Sequence, residues 1–384
     1  MSHWLDQLQQ ALDRRHSQDM LRTLRVSEPA GPLLIRDGRQ LTNLTSNDYL
    51  GLSTEPALIE AVREAAGRYG VGSGASRLLG GHHVFHLNLE RRFSAFKKTE
   101  AALLLPTGYM ANLATLTALA GPDDLIVMDK LNHASLIDAA RASGATVRTY
   151  PHGNLSKLRR LLEGAGRYGR RLIVTDSVFS MDGDCADLPA LCELRDRHEA
   201  ILVVDDAHGT GVLGASGSGL AEHQQVAGSI DVTVCTASKA LGSLGGIVCG
   251  PAVVIQTLIN QARPLIYSTA VPPTQVAAIE AALDLIADQP QRRTKLAALG
   301  MILRQRLKHA GWSVRMDPTP IVPVEVTTAA AALELSDRLA EAGFEVPAVR
   351  PPSVPRGGSR LRISLRSDLD ESEVVRLAET IGKP

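Results

Sequence analysis

Short apolar runs alternate with segments of helical periodicity through the middle of this 384-residue chain. The runs are rich in valine, isoleucine and leucine, which is typical of strands buried on both faces of a parallel sheet. We predict seven strands at 101–105, 124–128, 146–150, 172–175, 201–204, 232–236 and 246–249. Helices are predicted between them at 108–120, 134–142, 154–164 and 188–198. This α/β alternation predicts a large domain with a mostly parallel seven-stranded sheet covered on both faces.

The amino-terminal residues follow a different pattern. Residues 4–26 carry leucines at helical spacing and predict an amphipathic helix. A short β-like stretch follows, and its Asp37-Gly38 pair predicts a hairpin turn. Further helices are predicted over 55–69 and 84–98. We therefore expect an N-terminal helical arm and hairpin ahead of the large domain.

The carboxyl-terminal pattern predicts a second, smaller α+β domain. A helix over 271–289 ends at the Gln289-Pro290 pair, and a basic amphipathic helix follows over 291–310. The remaining predictions are strands at 312–315, 320–326, 344–346 and 360–365 and helices at 328–342 and 370–382. Combining these patterns, we expect an arm over 1–50, a large domain over 51–285 and a small domain over 286–384.

Composition and charge exclude several classes of binding partner. The 41 basic and 41 acidic residues cancel, and aromatic residues make up 3% of the chain. Neither nucleic acid nor an anionic membrane is therefore expected as a partner. The first residues lack a signal-peptide pattern, and no stretch is long and apolar enough for a membrane span. The four cysteines show neither zinc-site nor C-x-x-C spacing, so we expect no metal and a cytoplasmic, reducing location.

Candidate chemistry lies at the ends of the predicted strands, where parallel sheets bind their ligands. The residues that follow the runs include amine, imidazole, carboxylate and hydroxyl groups: Gly108, Tyr109, His133, Ser180, Asp205, His208, Thr236 and Lys239. Each of them alone has an ordinary structural explanation as a core or capping residue. Their occurrence at five strand ends favours one shared site.

Lys239, Asp205 and His208 form the most informative combination. Pyridoxal phosphate (PLP) needs an amine for a Schiff base and a carboxylate that faces its pyridine nitrogen. Most lysines are merely solvated, but Lys239 is the only lysine between Lys157 and Lys295 and follows directly on a strand. These residues predict a PLP site with Lys239 as its amine.

Four other motifs suggest different chemistry. The segment 209–214 matches the dinucleotide pattern G-x-G-x-x-G, but further glycines follow it and no helix is predicted to begin there. The serine and lysine of 94–97 match an acyl-enzyme motif without its partner motifs. The histidines of 82–86 have helical metal-ligand spacing, and we favour a polar helix N-terminus instead. The glycines of 70–77 favour close backbone approach to a ligand.

Six segments together resemble the α-oxoamine synthases, which are fold-type I PLP enzymes that join an amino acid to an acyl thioester and release carbon dioxide. The segments are Ser46–Leu52, Gly72–Arg77, Asn132–Ser135, Val178–Asp184, Val204–Gly211 and Thr236–Lys239. The resemblance runs from about residue 12 to the carboxyl terminus. It implies a homodimer whose active sites are shared between the subunits.

The resemblance also implies roles around the cofactor. Lys239 would hold PLP and act as the base at the substrate Cα, while Asp205 would keep the pyridine nitrogen protonated. His208 and Ser180 would bond the ring hydroxyl region, and His133 would stack on the ring and take part in proton transfer.

The phosphate and the substrates would have their own residues. Gly108 and Tyr109 would offer backbone donors to the phosphate and Thr236 a hydroxyl, while Thr269 would reach the phosphate in the partner subunit. The resemblance implies that Arg362, with Asn47, binds the carboxylate of the amino acid. It also implies that Arg22 and Ser353 contact the acyl substrate.

The segment 349–362 is similar to that of family members that join L-alanine to a pimeloyl thioester. Whether the acyl group arrives on coenzyme A or on a carrier protein stays open. The runner-up within the family uses glycine and acetyl-CoA. From other classes, a PLP-binding module without turnover would need neither His133 nor Arg362, and a dehydrogenase would depend on 209–214 alone.

Overall fold

A computed structural model describes residues 3–18, 20–351, 353–355 and 357–384. Within these residues the strands are β1 (Glu28–Ala30), β2 (Leu33–Arg36), β3 (Arg39–Asn43), β4 (Ala101–Leu105), β5 (Leu125–Asp129), β6 (Thr146–Tyr150), β7 (Arg171–Asp176), β8 (Ile201–Asp205), β9 (Val232–Thr236), β10 (Gly246–Gly250), β11 (Ile321–Glu325), β12 (Phe344–Glu345), β13 (Ala348–Val349) and β14 (Arg360–Ser364).

The helices are α1 (His3–Ser17), α2 (Pro56–Tyr69), α3 (Val84–Lys97), α4 (Gly108–Leu119), α5 (Ala134–Ala142), α6 (Leu155–Glu163), α7 (Leu188–Arg197), α8 (Leu220–His223), α9 (Ala252–Gln261), α10 (Arg263–Ile266), α11 (Pro273–Asp288), α12 (Gln291–Ala310), α13 (Ala329–Glu341) and α14 (Glu371–Ile381), with a 3-10 turn at Leu52–Thr54. None of the helices in the described part of the chain is long and apolar enough to cross a membrane.

The seven predicted strands form one sheet in the order β4-β10-β9-β8-β7-β5-β6. Strands β5 to β9 run parallel, and β10 is antiparallel to both β4 and β9. The predicted mostly parallel sheet is therefore confirmed. Its register sets Asp176 beside Asp205 and Asp129 beside Tyr150, so polar residues of neighbouring strands gather at one edge.

Helix α4 covers part of one face of the sheet. Its residues from Ala111 to Leu119 are mostly apolar and buried, because they pack with α5 and α9 against the sheet. Thr107 caps its N-terminus by accepting a hydrogen bond from Met110 N at 3.1 Å. The helix therefore begins directly beyond the end of β4, at the edge where the site residues gather.

The described residues divide into two compact units. One unit contains the described residues of Asn47–Ala298 with Asp317–Thr319, and its framework is the seven-stranded sheet. The other contains those of Met1–Ser46, Leu299–Met316 and Pro320–Pro384. This second unit holds two small sheets, ordered β1-β2-β3-β12 and β11-β14-β13. The predicted hairpin turn is present in it, with Asp37 and Gly38 both at positive φ, as a tight two-residue turn requires.

The observed secondary structure differs from the sequence-based predictions at several points, including the short elements β1, β13, α8 and α10, which were not predicted. The helix expected over 4–26 ends at Ser17, because α1 has no buried residue to hold a longer helix of modest propensity. The stretch 312–315 forms no strand; its Trp312 indole instead donates to Gly382 O at 2.7 Å. Helix α9 was missed, although Pro251 at its N-cap is a helix-start signal.

A buried ion pair organises the loop that follows β8. Lys97 Nζ lies 2.8 Å from Asp206 Oδ2 and 2.8 Å from Thr210 Oγ1, and it also donates to Ser218 O. Both side chains of the ion pair are 4% exposed. Asp206 directly follows the candidate cofactor residue Asp205, so this pair holds the chain that leaves the site.

The glycine-rich segment is explained by the same ion pair. A Cβ atom built on Gly209 or Gly219 would overlap the Asp206 carboxylate, and Gly219 also has a φ of +117°. These glycines therefore make room for a buried carboxylate within the protein. Gly209 of the dinucleotide motif therefore makes room for the Asp206 carboxylate, and Lys97 of the acyl-enzyme motif is its counter-charge.

Replacing Lys97 with Met should destabilise the fold strongly. The Asp206 carboxylate would stay buried without its counter-charge, which typically costs about 3–5 kcal/mol. Urea unfolding should therefore show a lower free energy of unfolding for Lys97→Met. The exposed neighbour Lys98→Met is the control and should change it by no more than about 0.5 kcal/mol. Equal effects of the two variants would contradict the role of the ion pair.

Candidate functional site

A cavity of about 220 Å³ lies at the carboxyl edge of the large sheet. Its lining contains most of the residues predicted for the cofactor: Gly108, Tyr109, His133, Asp205, His208, Thr236 and Lys239. Five further polar residues share it, namely Thr107, Asn112, Ser135, Asp176 and Ser238. The structure thus brings together the groups that the sequence places at four separate strand ends.

Lys239 lies in a tight loop between β9 and β10. Gly242 N donates to the Lys239 carbonyl at 2.9 Å, and Gly242 has a φ of +63°. A Cβ on Gly242 would come within 2.5 Å of Ser53 N, so only glycine fits this turn. The loop leaves the half-buried Lys239 side chain in the lining of the cavity.

Asp205 is the last residue of β8 and is 6% exposed. Its Oδ1 accepts from Ala207 N at 2.9 Å, and its Oδ2 accepts from Asn112 Nδ2 at 2.6 Å. Hydrogen bonds of this kind hold a carboxylate in one orientation while favouring its charged form. The arrangement suits a carboxylate that must face a protonated ring nitrogen.

His133 caps helix α5 and lies beside both Asp205 and Lys239. Its backbone N donates to Asp176 Oδ2 at 2.8 Å. Burial lowers the pKa of His133, Asp205 opposes this shift, and Lys239 adds to it. Burial and the neighbouring Asp205 raise the pKa of Asp176 well above its usual range. The cavity therefore favours a neutral imidazole and a protonated Asp176 beside the Asp205 carboxylate.

His208 is held from one side by a buried tyrosine. Tyr49 Oη and His208 Nδ1 are 2.6 Å apart, and Tyr49 Oη also lies 3.1 Å from Asn47 Oδ1. Asn47, predicted to help bind a carboxylate, does not line the described cavity and instead belongs to this chain of hydrogen bonds. These hydrogen bonds fix the orientation of the His208 ring through Nδ1, with Nε2 on the side of the ring away from Tyr49.

An anion-binding position is present at the N-terminus of α4. Gly108 is the first residue of this helix, where backbone N–H groups and the helix dipole favour a phosphate. A Cβ on Gly108 would lie 3.3 Å from Thr236 Cβ, so glycine keeps the space between helix and strand open. The Tyr109 side chain turns outward and its hydroxyl bonds Asp138. Only its backbone is therefore directed toward the predicted phosphate position.

These residues fit PLP in their chemistry. An amine, an oriented carboxylate, a neutral imidazole and a helix N-terminus lie in the lining of one cavity. Lys239 would hold the aldehyde carbon of the cofactor, Asp205 its ring nitrogen and the α4 N-terminus its phosphate.

Two predicted cofactor residues lie outside the described lining of this cavity. Ser180 is half-buried in the loop after β7, and Thr269 is exposed and pairs with Ser76 in an isolated antiparallel bridge. Their predicted roles remain predictions.

The histidines of 82–86 have a structural role. His83 is the N-cap of α3, its backbone N donates to His86 Nδ1 at 3.1 Å, and His86 Nε2 lies 2.8 Å from Val271 O. Burial lowers the pKa of His86 to about 4. The interpretation as a helix N-terminus is therefore confirmed by the capping, but His86 is fully buried and does not lie on a polar face.

The predicted substrate residues Arg22, Ser353 and Arg362 belong to the other unit. There, Arg22 Nη2 donates to Ser353 Oγ at 2.9 Å, so two residues 331 positions apart are brought together. Arg362 is buried in β14 and donates to Ser364 Oγ at 2.6 Å.

His152 links the loops that carry the site residues. Its Nδ1 lies 3.1 Å from Asp129 Oδ1 and its Nε2 lies 2.8 Å from Asp184 Oδ2. Asp129 also accepts from Leu131 N at 2.8 Å, just ahead of His133, and Asp184 belongs to the loop of Ser180. Hydrogen bonds with the two carboxylates raise the pKa of His152 to about 10. An imidazolium therefore ties these loops together.

Sequence reasoning missed Asn112, Ser135, Tyr49 and His152 as parts of this site. Asn112 had a recognisable signal, because it is a lone amide in an almost wholly apolar helix and is 1% exposed. Buried amides of this kind are normally hydrogen-bonded, so the position called for a partner. The partners of Tyr49 and His152 lie far away in sequence and left no such signal.

Comparisons with known proteins agree with this site. Residues 39–381 match the family model of class I and II aminotransferases. An 8-amino-7-oxononanoate synthase from Geobacter sulfurreducens is 46% identical over 376 residues, which cover 97% of this chain and 96% of that protein. A serine palmitoyltransferase from S. paucimobilis, solved with bound PLP–myriocin, matches with a TM-score of 0.92 at 26% identity, covering 98% and 96% of the two chains. The 8-amino-7-oxononanoate synthase from Francisella tularensis matches with a TM-score of 0.79 at 29% identity, covering 89% and 96%.

The wild-type protein should lose stability as pH rises toward 10. The unfolded pKa of histidine is about 6.5, and the folded pKa of His152 is about 10. Between these values the folded state binds more protons than the unfolded state, so the free energy of unfolding falls with rising pH. The stabilisation is complete below about pH 6.5 and is lost as pH passes through about 10.

Urea unfolding of the wild type and of His152→Gln at several pH values tests this pH dependence of stability. The difference in unfolding free energy between wild type and this variant should shrink from pH 7 to pH 10. His223→Gln, at an exposed histidine, is the control and should follow the wild type. A difference that stays constant with pH would refute the charged state of His152.

Proposed function

The chain belongs to the class I and II aminotransferase family of PLP-dependent enzymes, within which it is an α-oxoamine synthase, and we propose that it is an 8-amino-7-oxononanoate synthase of biotin biosynthesis. The proposed reaction joins L-alanine to a pimeloyl thioester and releases 8-amino-7-oxononanoate, carbon dioxide and the free thiol. The supporting observation is the cavity that combines Lys239, Asp205 and His133 with the N-terminus of α4. The similarity to the G. sulfurreducens synthase supports this member of the family.

Each of several cavity residues has a separate role in the proposed reaction. When bound, PLP supplies an electron sink for the negative charge that develops at the amino-acid Cα. Lys239 Nζ removes the Cα proton of alanine and later returns a proton to that carbon. Asp205 holds the proton on the pyridine nitrogen, which makes the sink effective. His208, held at Nδ1 by Tyr49, would hydrogen-bond the ring hydroxyl.

The amino-acid carboxylate is assigned to Arg362. A guanidinium presents parallel donors that match a carboxylate, and Arg362 is held by Ser364 on the strand β14. The carboxylate must be bound until the carbon–carbon bond has formed, because its loss as carbon dioxide follows that step. An arginine at this position would delay the loss by stabilising the charge.

The dimer is proposed from exposed apolar residues near Thr269. Leu79, Tyr267 and Leu78 are 82%, 72% and 52% exposed, and they flank Thr269 and its bridge partner Ser76 in sequence. Apolar side chains concentrated in this way are typical of an interface. A second copy of the chain would cover them and receive the Thr269 hydroxyl at its phosphate position.

The amino-acid preference and the identity of the lysine can be tested together. Thiol release is measured with purified holoenzyme and pimeloyl-CoA. We expect kcat/KM for L-alanine to be at least about tenfold higher than kcat/KM for glycine or L-serine. Borohydride reduction should attach PLP to the Lys239 peptide in mass spectra. Lys239→Ala should lose both signals, whereas the exposed Lys130→Ala should keep them. A preference for glycine with acetyl-CoA would instead support the alternative family member that uses these two substrates, and PLP on another lysine would overturn the site.

Arg22 should act on the acyl substrate. Because Arg22 contacts Ser353, we expect Arg22→Met to raise KM for pimeloyl-CoA by about tenfold, the value of one charged hydrogen bond, with KM for L-alanine unchanged. Arg25→Met, in the same exposed segment, is the matched control. A rise in KM for alanine alone would contradict this assignment.

Shared sites predict complementation between inactive subunits. In a mixed dimer of Lys239→Ala and Thr269→Val chains, one of the two sites would contain both wild-type residues. Activity at limiting PLP should therefore exceed that of either variant alone after the two are co-expressed. If mixed dimers form without any gain, Thr269 does not serve the partner's phosphate.

A further inference from the structure

A chain of hydrogen bonds connects Asp205 to His133 through two side chains. Asn112 Nδ2 lies 2.6 Å from Asp205 Oδ2 and 2.8 Å from Ser135 Oγ. Ser135 Oγ in turn lies 2.7 Å from His133 Nδ1. Asn112 and Ser135 are each 1% exposed, and all four residues line the same cavity. Buried hydrogen bonds of this kind are strong because no water competes with them.

The donors and acceptors along this chain follow from Asp205. An ionised carboxylate can only accept, so the amide nitrogen of Asn112 must face it. The opposite orientation would place the Asn112 carbonyl oxygen against the Asp205 carboxylate. Because Asn112 donates also to Ser135 Oγ, the hydroxyl proton of Ser135 is directed to its remaining neighbour, His133 Nδ1.

His133 Nδ1 therefore receives a hydrogen bond. The backbone N of Ser135 donates to the same nitrogen at 3.3 Å. An imidazolium carries protons on both nitrogens and has no lone pair with which to accept. A ring that accepts at Nδ1 is neutral and carries its single proton on Nε2.

We propose that Asn112 and Ser135 are positioning residues that hold His133 as the neutral tautomer protonated on Nε2. His133 then presents a hydrogen-bond donor to the molecule in the cavity and has no free lone pair there to act as a base. The proposal deepens the proposed function, on which its catalytic consequence rests, because it leaves Lys239 as the group that removes the Cα proton.

The charged groups around His133 are consistent with this state. Asp205 from β8 favours the charged ring, while burial and Lys239 from the loop after β9 lower the pKa of His133. Asp176 from β7 accepts from the backbone N of His133, and burial and Asp205 raise the pKa of its carboxyl group. Through this chain of hydrogen bonds Asp205 fixes the tautomer of His133 by orienting the Asn112 amide and the Ser135 hydroxyl, with no proton transferred along the chain.

Nitrogen-15 NMR of histidine-labelled holoenzyme tests the tautomer directly. The resonance pair that disappears in His133→Gln identifies His133. We expect one unprotonated nitrogen, Nδ1, and one protonated nitrogen, Nε2, from about pH 6 to pH 9 in both the holoenzyme and the PLP-free protein. A protonated Nδ1, or an imidazolium in this range, would overturn the proposal. This readout does not depend on which substrates the enzyme uses, so it can fail while the proposed function stands.

Variants of Ser135 separate positioning from simple structural support. Ser135→Ala leaves only the longer backbone bond to Nδ1, so the two tautomers should mix and kcat should fall by about tenfold, with a smaller change in KM for alanine. Ser135→Thr keeps the hydroxyl and should restore both the nitrogen spectrum and kcat. Ser143→Ala, at the other end of α5, is the control and should match the wild type. An unchanged nitrogen spectrum in Ser135→Ala would refute the role of the hydroxyl.

Discussion

Two carboxylates that meet at the edge of the parallel sheet set the conditions for the whole site. The register pairs Asp176 of β7 with Asp205 of β8, and both are buried. Burial and the neighbouring Asp205 raise the pKa of Asp176 well above its usual range, because a second negative charge is disfavoured beside the first. Hydrogen bonds from Ala207 N and Asn112 Nδ2 hold the Asp205 carboxyl group in one orientation in the lining of the cavity.

Histidines around this edge show how strongly surroundings decide the state of one residue type. Burial lowers the pKa of His86 to about 4 and makes it a neutral capping group. Two carboxylates raise the pKa of His152 to about 10 and make it a cation. His133 lies between these cases, because burial and Lys239 oppose the charge of Asp205. The pKa values of these three histidines therefore differ because their neighbours differ.

The glycine-rich loop after β8 shows that a sequence motif typical of ligand binding can instead be required by packing within the protein. Gly209 and Gly219 leave space for the Asp206 carboxylate, and Lys97 supplies its counter-charge from helix α3. A nucleotide-binding loop would direct its backbone donors to a phosphate outside the chain. The dehydrogenase alternative depended on the segment 209–214, and Gly209 of that segment has this structural role instead. The ion pair also holds the residue next to Asp205, so the loop serves the site indirectly.

The amino-acid sequence by itself determined the seven strands, the helices between them and the strand ends at which Lys239, Asp205, His133 and Gly108 lie. These features follow from local hydrophobic patterning and from the rule that ligands bind beyond the carboxyl ends of parallel strands. Only the tertiary structure decided the end of α1, the partners of Asn112 and His152, and the contact between Arg22 and Ser353. Burial, hydrogen-bond direction and pKa depend on atoms that lie far apart in the chain, and no local pattern encodes which of them will meet.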